Sequence, residues 1–307
     1  MQFHQLKYFL AVAEELHFGR AAKKLNISQP PLSQQIKKLE EDLKTKLFYR
    51  TKRKVQLTEA GKLFLEDAYK IVEQIESTYD KIKQHSNGEI GELTLGYSSY
   101  SIFDVLPQIL KEFYKLFPNV NVKLRHLSTA QQLEAFENSA IQIGLLCPPI
   151  DQRDLVLEHI YSQPFIVALP SNDPLANQNN KESIDITELA NYSFVMTPRN
   201  IGTGYYDKII EICLDGNFSP NIVQEVNELH EVISLVSTGL GVSIVPKSLM
   251  QYKKSNVTFK KLNNDAYYVD TALVYKKNET TKTVYNFINI ARNVLQGDNK
   301  ENYLNIL

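Results

Sequence analysis

The sequence predicts an α/β protein of two parts, a small helical part with a short β-ribbon at the amino terminus and a larger α/β part, joined by one long helix. Three observations predict this division. Apolar residues recur at helical spacing through residues 1–43, positive charge is concentrated in residues 1–62, and short strands alternate with helices from residue 93 onward. At 307 residues, the chain is long enough for about two or three domains.

The first segment, MQFHQLKYFLAVAEELHF, predicts an amphipathic helix. Glu14 and Glu15 lie within its apolar pattern, which is not typical of a signal peptide. No apolar stretch approaches the roughly 18 residues of a membrane span. The two cysteines, Cys147 and Cys213, are far apart in apolar stretches, and we expect buried free thiols rather than a disulfide or a redox switch. These features predict a cytoplasmic protein without a membrane partner.

Residues 18–43 (FGRAAKKLNISQPPLSQQIKKLEEDL) predict two short amphipathic helices that meet at a tight turn near Asn26. Ser28 is a good N-cap for the second helix, and Pro30 and Pro31 fall in its first turn, where proline is tolerated. The polar face of this helix carries Gln29, Ser33, Gln34, Lys37 and Lys38. Such a helix-turn-helix is typical of proteins that read the DNA major groove, although an ordinary helical hairpin with a solvated face fits the same residues.

The segment 47–57 (LFYRTKRKVQL) predicts a two-stranded ribbon with a basic tip, which makes it a candidate wing. Arg50, Lys52, Arg53 and Lys54 would lie along backbone phosphates, or Arg53 would enter the minor groove. A solvated basic loop is the alternative.

The charge distribution agrees with a nucleic-acid-binding amino terminus. Residues 1–62 contain 13 Lys/Arg and 6 Asp/Glu, a net charge of +7, whereas the remainder contains 21 Lys/Arg and 29 Asp/Glu, a net charge of −8. A basic arm joined to an acidic body is typical of proteins that bind nucleic acid through one domain.

A long helix is predicted from Glu59 to about Ser86, with Thr58 as its cap. Its apolar residues follow an a/d spacing for almost three heptads, which favours pairing with the same helix of a second subunit. A helix packed on its own domain is the alternative. The candidate dimerisation residues are Phe64, Ala68, Ile71, Ile75 and Ile82.

Asn87-Gly88 and Gly91 predict a hinge after this helix, so the expected domains are residues 1–58, 59–87 and 88–307. In the last domain, the alternation of strands and helices predicts mostly parallel sheets in two lobes with a cleft between them. We expect lobe I at about residues 92–163 and 267–295 and lobe II at about 164–266. The last strand, near 268–275, would return to the first sheet.

Three polar segments follow predicted strands and precede helices, where ligands bind in such sheets. They are residues 98–101, the pair Ser128-Thr129, with Thr129 and Gln132 at capping-box spacing, and the glycine-rich loop 197–204. Hydroxyls, free N–H groups and one guanidinium suit a small carboxylate. Each segment alone also fits an ordinary cap or turn. The candidate effector-binding residues are Ser99, Tyr100, Ser101, Thr129, Arg199, Gly202 and Thr203.

The sequence lacks the motifs of the common enzyme classes, so we expect no enzyme. There is no G-x-S-x-G, the Gly202-x-Gly204 pair has no third glycine, and His230-Glu231 is followed by serine at position 234 instead of histidine. No Walker loop or Cys-x-x-Cys is present, and the six histidines show no metal-ligand spacing. We therefore expect neither a metal nor a cofactor.

Two segments and the order of the elements indicate a family. The segments are FLAVAEELHFGRAAKKLNISQPPLSQQIKKLEEDL and LFYRTKRKVQLTEAG, and the order is helix pair, wing, linker helix and two-lobed domain. Together they resemble the LysR-type transcriptional regulators over essentially the whole chain. IGLLCPPI and SPNIVQEVNELHEVISLVSTGLGVSIVP resemble the subgroup of the acetoin/acetolactate-operon activator, with the muconate and benzoate regulators of aromatic catabolism as close relatives.

The resemblance implies a winged helix-turn-helix, a periplasmic-binding-protein-like effector domain and a tetramer built from two dimers. It also implies activation of a nearby operon by a small metabolite, with promoter DNA and RNA polymerase as partners. Two positions depart from the pattern. Tyr100 stands where a serine often contacts the effector, and Gln34 where many members have arginine, so an effector different from the subgroup's is implied. The candidate DNA contacts are Arg20, Gln29, Pro30, Ser33, Gln34, Lys37, Arg50 and Arg53.

A cytoplasmic solute-binding receptor without promoter function is the alternative to a ligand-responsive regulator. In that case, the basic amino terminus would serve only in oligomerisation.

Overall fold

The computed structural model describes residues 1–51, 54–150, 152–178, 182–264 and 266–304, with side chains as far as residue 295. The chain divides into two compact units, Met1–Gln84 and His85–Leu307. Among the helices in these ranges, none combines the length and the hydropathy needed to cross a lipid bilayer.

The amino-terminal unit contains the predicted helix pair, wing and long helix. In chain order, its elements are α1 (Phe3–Glu15), α2 (Phe18–Lys24), α3 (Gln29–Asp42), β1 (Phe48–Arg50), β2 (Val55–Leu57) and α4 (Glu59–Ser86). The two strands pair antiparallel with Tyr49 opposite Gln56. Ser28 precedes α3 in extended conformation, as predicted for its N-cap, but its side chain makes no capping hydrogen bond. Helix α4 ends at Ser86, next to the predicted break.

Apolar side chains at helical spacing form one core in this unit. Leu32, Ile36 and Leu39 on α3 are fully buried. The ring of Phe9 on α1 lies 5.2 Å from Phe48 of the wing and 4.9 Å from Phe64 of α4, centroid to centroid. The core therefore fixes both the recognition helix α3 and the wing on the same scaffold.

The structure corrects part of the predicted dimer seam. Ala68 is completely buried and Phe64 is partly buried, and both pack in the core of their own unit. Those two side chains are therefore used within the subunit and are not available to a partner helix. The apolar side chains that α4 leaves exposed are Leu63, Tyr69, Ile71, Tyr79 and Ile82, whereas Ile75 is half-buried.

The second unit alternates strands and helices. In chain order, its elements are β3 (Ile90–Tyr97), α5 (Val105–Leu116), β4 (Asn119–His126), α6 (Thr129–Glu137), β5 (Ile143–Leu146), β6 (Leu155–Pro170), β7 (Ser183–Ile184), β8 (Ser193–Met196), α7 (Thr203–Asp215), β9 (Asn221–Glu225), α8 (Leu229–Val236), β10 (Ser243–Pro246), β11 (Val257–Leu262), β12 (Tyr268–Lys276) and α9 (Lys282–Leu304).

The long strand β6 connects two lobes. Its first part pairs with β12, next to β5, β3 and β4, and its last part pairs with β10 and β11. Lobe I therefore contains β3–β5, β12, α5, α6 and α9, and lobe II contains β7–β11, α7 and α8. The predicted return of the last strand to the first sheet is confirmed, because β12 pairs with β5.

The prediction of mostly parallel sheets is wrong, because the large sheet is mixed. Strand β12 is antiparallel to β5 and β6, and β10 and β11 are antiparallel to β6. Parallel pairing joins β3 to β4 and β5, β7 to β11, and β8 to β9.

Candidate DNA-binding surface and effector site

The predicted DNA-reading face of α3 lies on the surface of the amino-terminal unit. Five of its predicted contact residues lie opposite the buried stripe. Four of them are exposed, namely Gln29, Pro30, Gln34 and Lys37, and Ser33 is half-buried. Lys37 makes a solvent-exposed ion pair with Glu41, 3.6 Å between Nζ and Oε1, a type of contact that is weak in water. The amides and hydroxyl of this face are thus placed to meet base edges and phosphates.

A neighbouring glutamine has a structural role that the sequence pattern did not indicate. Gln35 accepts a hydrogen bond from the buried Gln5 side chain at 3.2 Å, and His4 Nε2 lies 3.2 Å from the same oxygen. These contacts fasten α1 to α3. They leave Gln34, one position earlier, as the amide on the exposed face.

The wing is anchored by a buried glutamate that sequence reasoning missed. Glu40 on α3 accepts hydrogen bonds from the backbone N–H groups of Leu47 at 3.0 Å and Phe48 at 3.1 Å, and from the Arg50 guanidinium at 3.0 Å. Its side chain is only 1% exposed. The guanidinium of Arg50 also lies 4.7 Å from the ring centre of Phe18. Arg50, predicted as a DNA contact, is therefore bound to the protein and positions the wing.

The other cationic residues predicted to contact DNA differ in their surroundings. Arg20 is largely exposed and its Nε donates to Glu15 at 3.0 Å, at the start of α2. Lys54 is exposed beside the wing. Lys52 and Arg53, the predicted tip of the wing, lie outside the described residues.

In the second unit, the loop after β3 bridges the two lobes through a carboxylate. The Ser99 hydroxyl donates to Glu228 Oε2 at 2.8 Å, and its oxygen lies 2.9 Å from His126 Nε2. His126 Nδ1 lies 3.3 Å from Glu228 Oε1. Ser99 and His126 belong to lobe I, whereas Glu228 is the N-cap residue of α8 in lobe II. His126 and Glu228 carry no motif, and sequence reasoning did not select them.

Tyr100 and Ser101, the next two predicted effector residues, are buried. Tyr100 is 4% exposed, its hydroxyl donates to the Asp270 carbonyl oxygen at 3.3 Å, and its ring stacks on Tyr205. Burial raises the pKa of Tyr100 well above its ordinary value, so the side chain is a neutral phenol. Ser101 is 1% exposed, and its hydroxyl lies 3.0 Å from that of Ser98.

The second and third predicted segments meet each other. Thr129 begins α6, is buried, and donates its N–H to the Ile201 carbonyl across the lobes at 3.1 Å. The predicted capping box of Thr129 and Gln132 is wrong by one residue. The reciprocal bonds are those of Ser128 and Gln131, at 3.2 and 2.9 Å.

The start of α7 contacts lobe I closely. An ideal Cβ on Gly204 would lie 2.2 Å from the Pro148 carbonyl oxygen, so only glycine permits this approach. Gly202 is the residue before α7, and Thr203 is its exposed first residue. Segments 98–101, 128–129 and 201–204 therefore all take part in contacts between the two lobes.

Arg199 makes a surface ion pair within lobe II. Its guanidinium makes two hydrogen bonds of 2.7 Å to Asp207 on α7, and its side chain is 60% exposed. Each partner favours the charged form of the other, which raises the pKa of Arg199 and lowers that of Asp207. In this structure the carboxylate that the Arg199 guanidinium holds is that of Asp207.

The polar groups between the lobes interact with one another through hydrogen bonds. The nearby Cys147 thiol is buried, which raises its pKa to about 12 and keeps it protonated near neutral pH. Among the described residues, no group of three or more His, Cys, Asp or Glu side chains is placed to hold a metal ion.

A winged helix-turn-helix followed in the chain by a two-lobed α/β domain defines a DNA-binding protein with a small-molecule domain, and comparisons with known proteins agree. A family model described as "Bacterial regulatory helix-turn-helix protein, lysR family" matches residues 3–62, and one described as "LysR substrate binding domain" matches residues 86–296. The chain is 38% identical over 291 residues to the HTH-type transcriptional regulator AlsR of Bacillus subtilis (strain 168), covering 95% of each chain.

Solved structures agree with the sequence comparison. CbnR, a LysR family transcriptional regulator, superposes with a TM-score of 0.87 at 27% identity, covering 95% of this chain and all of the other. Full-length CbnR in complex with its target DNA gives a TM-score of 0.80 at the same identity, covering 96% and 100%.

The chain belongs to the LysR family, which confirms the resemblance. It is a ligand-responsive, DNA-binding transcriptional regulator and not an enzyme. Family membership therefore decides against the alternative of a receptor without promoter function.

Proposed function

We propose that this regulator activates a metabolic operon in the cytoplasm when a small carboxylate binds between the two lobes. The observation that carries the proposal is the contact of Ser99 and His126 with the Glu228 carboxylate across the lobes. Donors that hold a carboxylate of the protein suit a carboxylate ligand equally well. RNA polymerase is the proposed partner at the promoter.

The geometry of these groups supports exchange of one carboxylate for another. Ser99 and His126 of lobe I both contact the Glu228 carboxylate of lobe II, and the serine hydroxyl is a hydrogen-bond donor to it. A ligand carboxylate that takes the place of Glu228 removes a contact that holds lobe II to lobe I. Differential binding of this kind shifts the equilibrium between two lobe arrangements, which is what a regulatory ligand must do.

We propose that the effector contacts come from both lobes and that Arg199 is not among them. Lobe I contributes the loop after β3 and the start of α6, and lobe II contributes the start of α7. The proposed contact residues are Ser99, Tyr100, Ser101, Thr129, Gly202 and Thr203. The proposed domains remain residues 1–58, 59–87 and 88–307.

We further propose that α4 pairs with its copy in a dimer, and that two dimers form the tetramer. Ile71 and Ile82 expose 37% and 65% of their surface, and Tyr79 exposes 69%. Exposed apolar side chains along one helix favour burial against a second helix. A dimer would also place two copies of α3 on the two halves of a pseudo-palindromic site.

The experiment is a titration of the full-length protein with acetate, lactate, succinate and benzoate, followed by calorimetry and by promoter activity in cells. We expect at least one of them to bind, and Ser99→Ala and Thr129→Val to weaken its binding by about tenfold, as expected for hydrogen bonds that involve a charged group. The matched control is Ser234→Ala on α8, whose hydroxyl bonds only its own helix at His230. Binding that is unchanged in both site variants would contradict the proposed site.

A further inference from the structure

The segment between α4 and β3, which the sequence predicts to be a hinge, is bound within the second unit. The boundary between the two compact units falls after Gln84, two residues before α4 ends at Ser86. Asn87 and Gly88 therefore belong to the second unit, together with the last two residues of α4. Gly88 is also buried, as a freely moving linker would not be.

The start of α9 holds this segment by three hydrogen bonds. The Asn286 amide donates to the backbone carbonyl oxygens of Asn87 at 3.0 Å and of Gly88 at 3.4 Å. The Thr283 hydroxyl donates to the Gly88 carbonyl oxygen at 3.4 Å, and its residue is only 4% exposed. Residues three apart on a helix lie on the same face. One face of α9 therefore fixes two consecutive peptide groups after α4.

Gly88 packs so closely against α9 that a side chain would not fit. Its φ of +71° lies in the left-handed region, in which glycine commonly ends a helix. An ideal Cβ on Gly88 would lie 2.5 Å from the backbone nitrogen of Thr283. The glycine at this position thus permits close contact between two backbones, which is the opposite of a flexible linker.

Helix α9 is itself fixed in lobe I. The ring of Phe287 lies 5.2 Å from the ring of Phe113 on α5, centroid to centroid. Further along α9, Arg292 Nε donates to Glu158 Oε2 at 2.8 Å. Glu158 lies in the part of β6 that pairs with β12, before β6 continues into lobe II. The end of α4 is therefore connected through α9 to the strand that joins the two lobes.

We propose that the contact of Asn87 and Gly88 with Thr283 and Asn286, here called the α9 clamp, is a fixed joint that makes the end of α4 one body with lobe I. This proposal rests on the proposed function, in which a ligand carboxylate replaces Glu228 and releases lobe II. With a fixed joint, movement of lobe II is movement relative to the end of α4. A free hinge would absorb that movement, and the response to the ligand would be lost.

Hydrogen–deuterium exchange of the full-length protein tests whether the joint is fixed. Asn286→Asp keeps the shape of the side chain but removes its N–H donors at neutral pH, and Gly88→Ala forces the two backbones apart. We expect the amides of residues 85–90 to exchange about tenfold faster in both variants, because two hydrogen bonds that oppose local opening are lost. The matched control is Asn289→Asp on the exposed side of α9, whose oxygen accepts from Arg292.

A milder pair of variants keeps the measurement decisive if Gly88→Ala does not fold. Thr283→Val keeps the shape of the side chain and removes the hydroxyl, whereas Thr283→Ser keeps the donor. We expect faster exchange of residues 85–90 in Thr283→Val and nearly unchanged exchange in Thr283→Ser. Equal exchange in the unchanged protein, Asn286→Asp and Thr283→Val would overturn the fixed joint.

Promoter activity in cells tests the regulatory role of the α9 clamp. Acetate, lactate, succinate and benzoate are added to cells that contain the unchanged protein, Asn286→Asp or Asn289→Asp. We expect Asn286→Asp to lose about fivefold or more of the induction ratio, the low end of typical coupling between sites. Its affinities for carboxylate, by calorimetry, and for promoter DNA, by gel shift, should equal those of the unchanged protein. A merely structural role would lower these affinities as well.

The outcomes distinguish this proposal from the function on which it rests. If Asn286→Asp speeds exchange but leaves induction unchanged, the regulatory role of the joint is overturned and the effector site stands. Loss of induction that is matched by loss of carboxylate or DNA affinity would also overturn it. If none of the four carboxylates binds the unchanged protein, the proposed effector fails, whereas the exchange rates still decide whether the joint is fixed.

Discussion

Glu40 and Arg50 form an ion pair, 3.0 Å between Oε2 and the guanidinium, that joins the recognition helix α3 to the wing. The carboxylate also accepts the backbone N–H groups of Leu47 and Phe48, so one buried side chain fixes the direction in which the wing leaves the core. The position of the wing relative to α3 thus depends on Glu40.

Glu40→Ala should lower the free energy of unfolding of the amino-terminal unit by about 3 kcal/mol, because it leaves two amides and a guanidinium without their acceptor. It should also weaken binding to all DNA sequences, since the wing loses its support. Denaturant unfolding and gel-shift titration measure the two effects. The matched control is Glu41→Ala, which removes an exposed carboxylate one position away. A similar loss of stability in both variants would contradict the role of Glu40.

Gln34→Ala and Lys37→Ala should affect DNA binding in different ways. An amide on the exposed face of α3 distinguishes base edges. Loss of Gln34 should therefore reduce the free energy of DNA binding by about 1–3 kcal/mol at its preferred base pair and relax the preference there. A lysine on the same face neutralises phosphate. Loss of Lys37 should therefore weaken binding to all DNA sequences and reduce the slope of log affinity against log salt concentration by about one. Binding to a set of single-base promoter variants at several salt concentrations measures both. A uniform loss from both changes would rule out this division of roles.

The part of the fold that depends on local sequence was predictable. The spacing of apolar residues around Leu32, Ile36 and Leu39 placed α3, and the turn residues placed its start. Glu40 was not predictable, because it is one of several charged residues in its helix. Its burial depends on Leu47 and Phe48 folding back over it, which no local pattern encodes.

The same limit applies to the effector domain. The full length of strand β6 could not be predicted from the sequence, because Glu158 and His159 interrupt its apolar pattern. The three candidate segments were selected because each lies between a strand and a helix, and the structure brings all three to the contacts between the lobes. Arg199 was assigned to the site for its charge, and its partner Asp207 could not be foreseen from sequence, since pairing depends on the direction of the first turn of α7.

Gly204→Ala should destabilise the effector domain by about 1–3 kcal/mol, because its methyl group would lie 2.2 Å from the Pro148 carbonyl oxygen and force the backbone apart. Thermal unfolding measures the change. Gly202→Ala is the matched control for stability, since its nearest contact, at Tyr205, would be an ordinary 3.6 Å. Equal melting temperatures of the two variants would show that α7 does not pack on Pro148 in solution.

Arg199→Ala should leave carboxylate affinity unchanged, because its guanidinium is bound to Asp207 on the surface and not in the interlobe site. Asp207→Asn should behave in the same way, and the double variant should match the two single ones. Calorimetric titration of the three variants measures this. A tenfold loss in Arg199→Ala alone would return Arg199 to the effector site.

Both cysteine thiols should resist modification in the native protein. Burial raises the pKa of Cys147 and of Cys213 to about 12. A raised thiol pKa means less thiolate, so at pH 8 only about one thiol in ten thousand is in the reactive form. We therefore expect very slow reaction with a thiol reagent at pH 8 and rapid reaction of both thiols after unfolding in guanidinium. Because Cys147 lies beside the Tyr100 ring, Tyr100→Ser should speed modification of Cys147 and leave Cys213 slow, as peptide mass spectrometry can show. Rapid native modification of Cys213 would contradict its burial, and equal protection of Cys147 in both proteins would mean that the Tyr100 ring does not cover it.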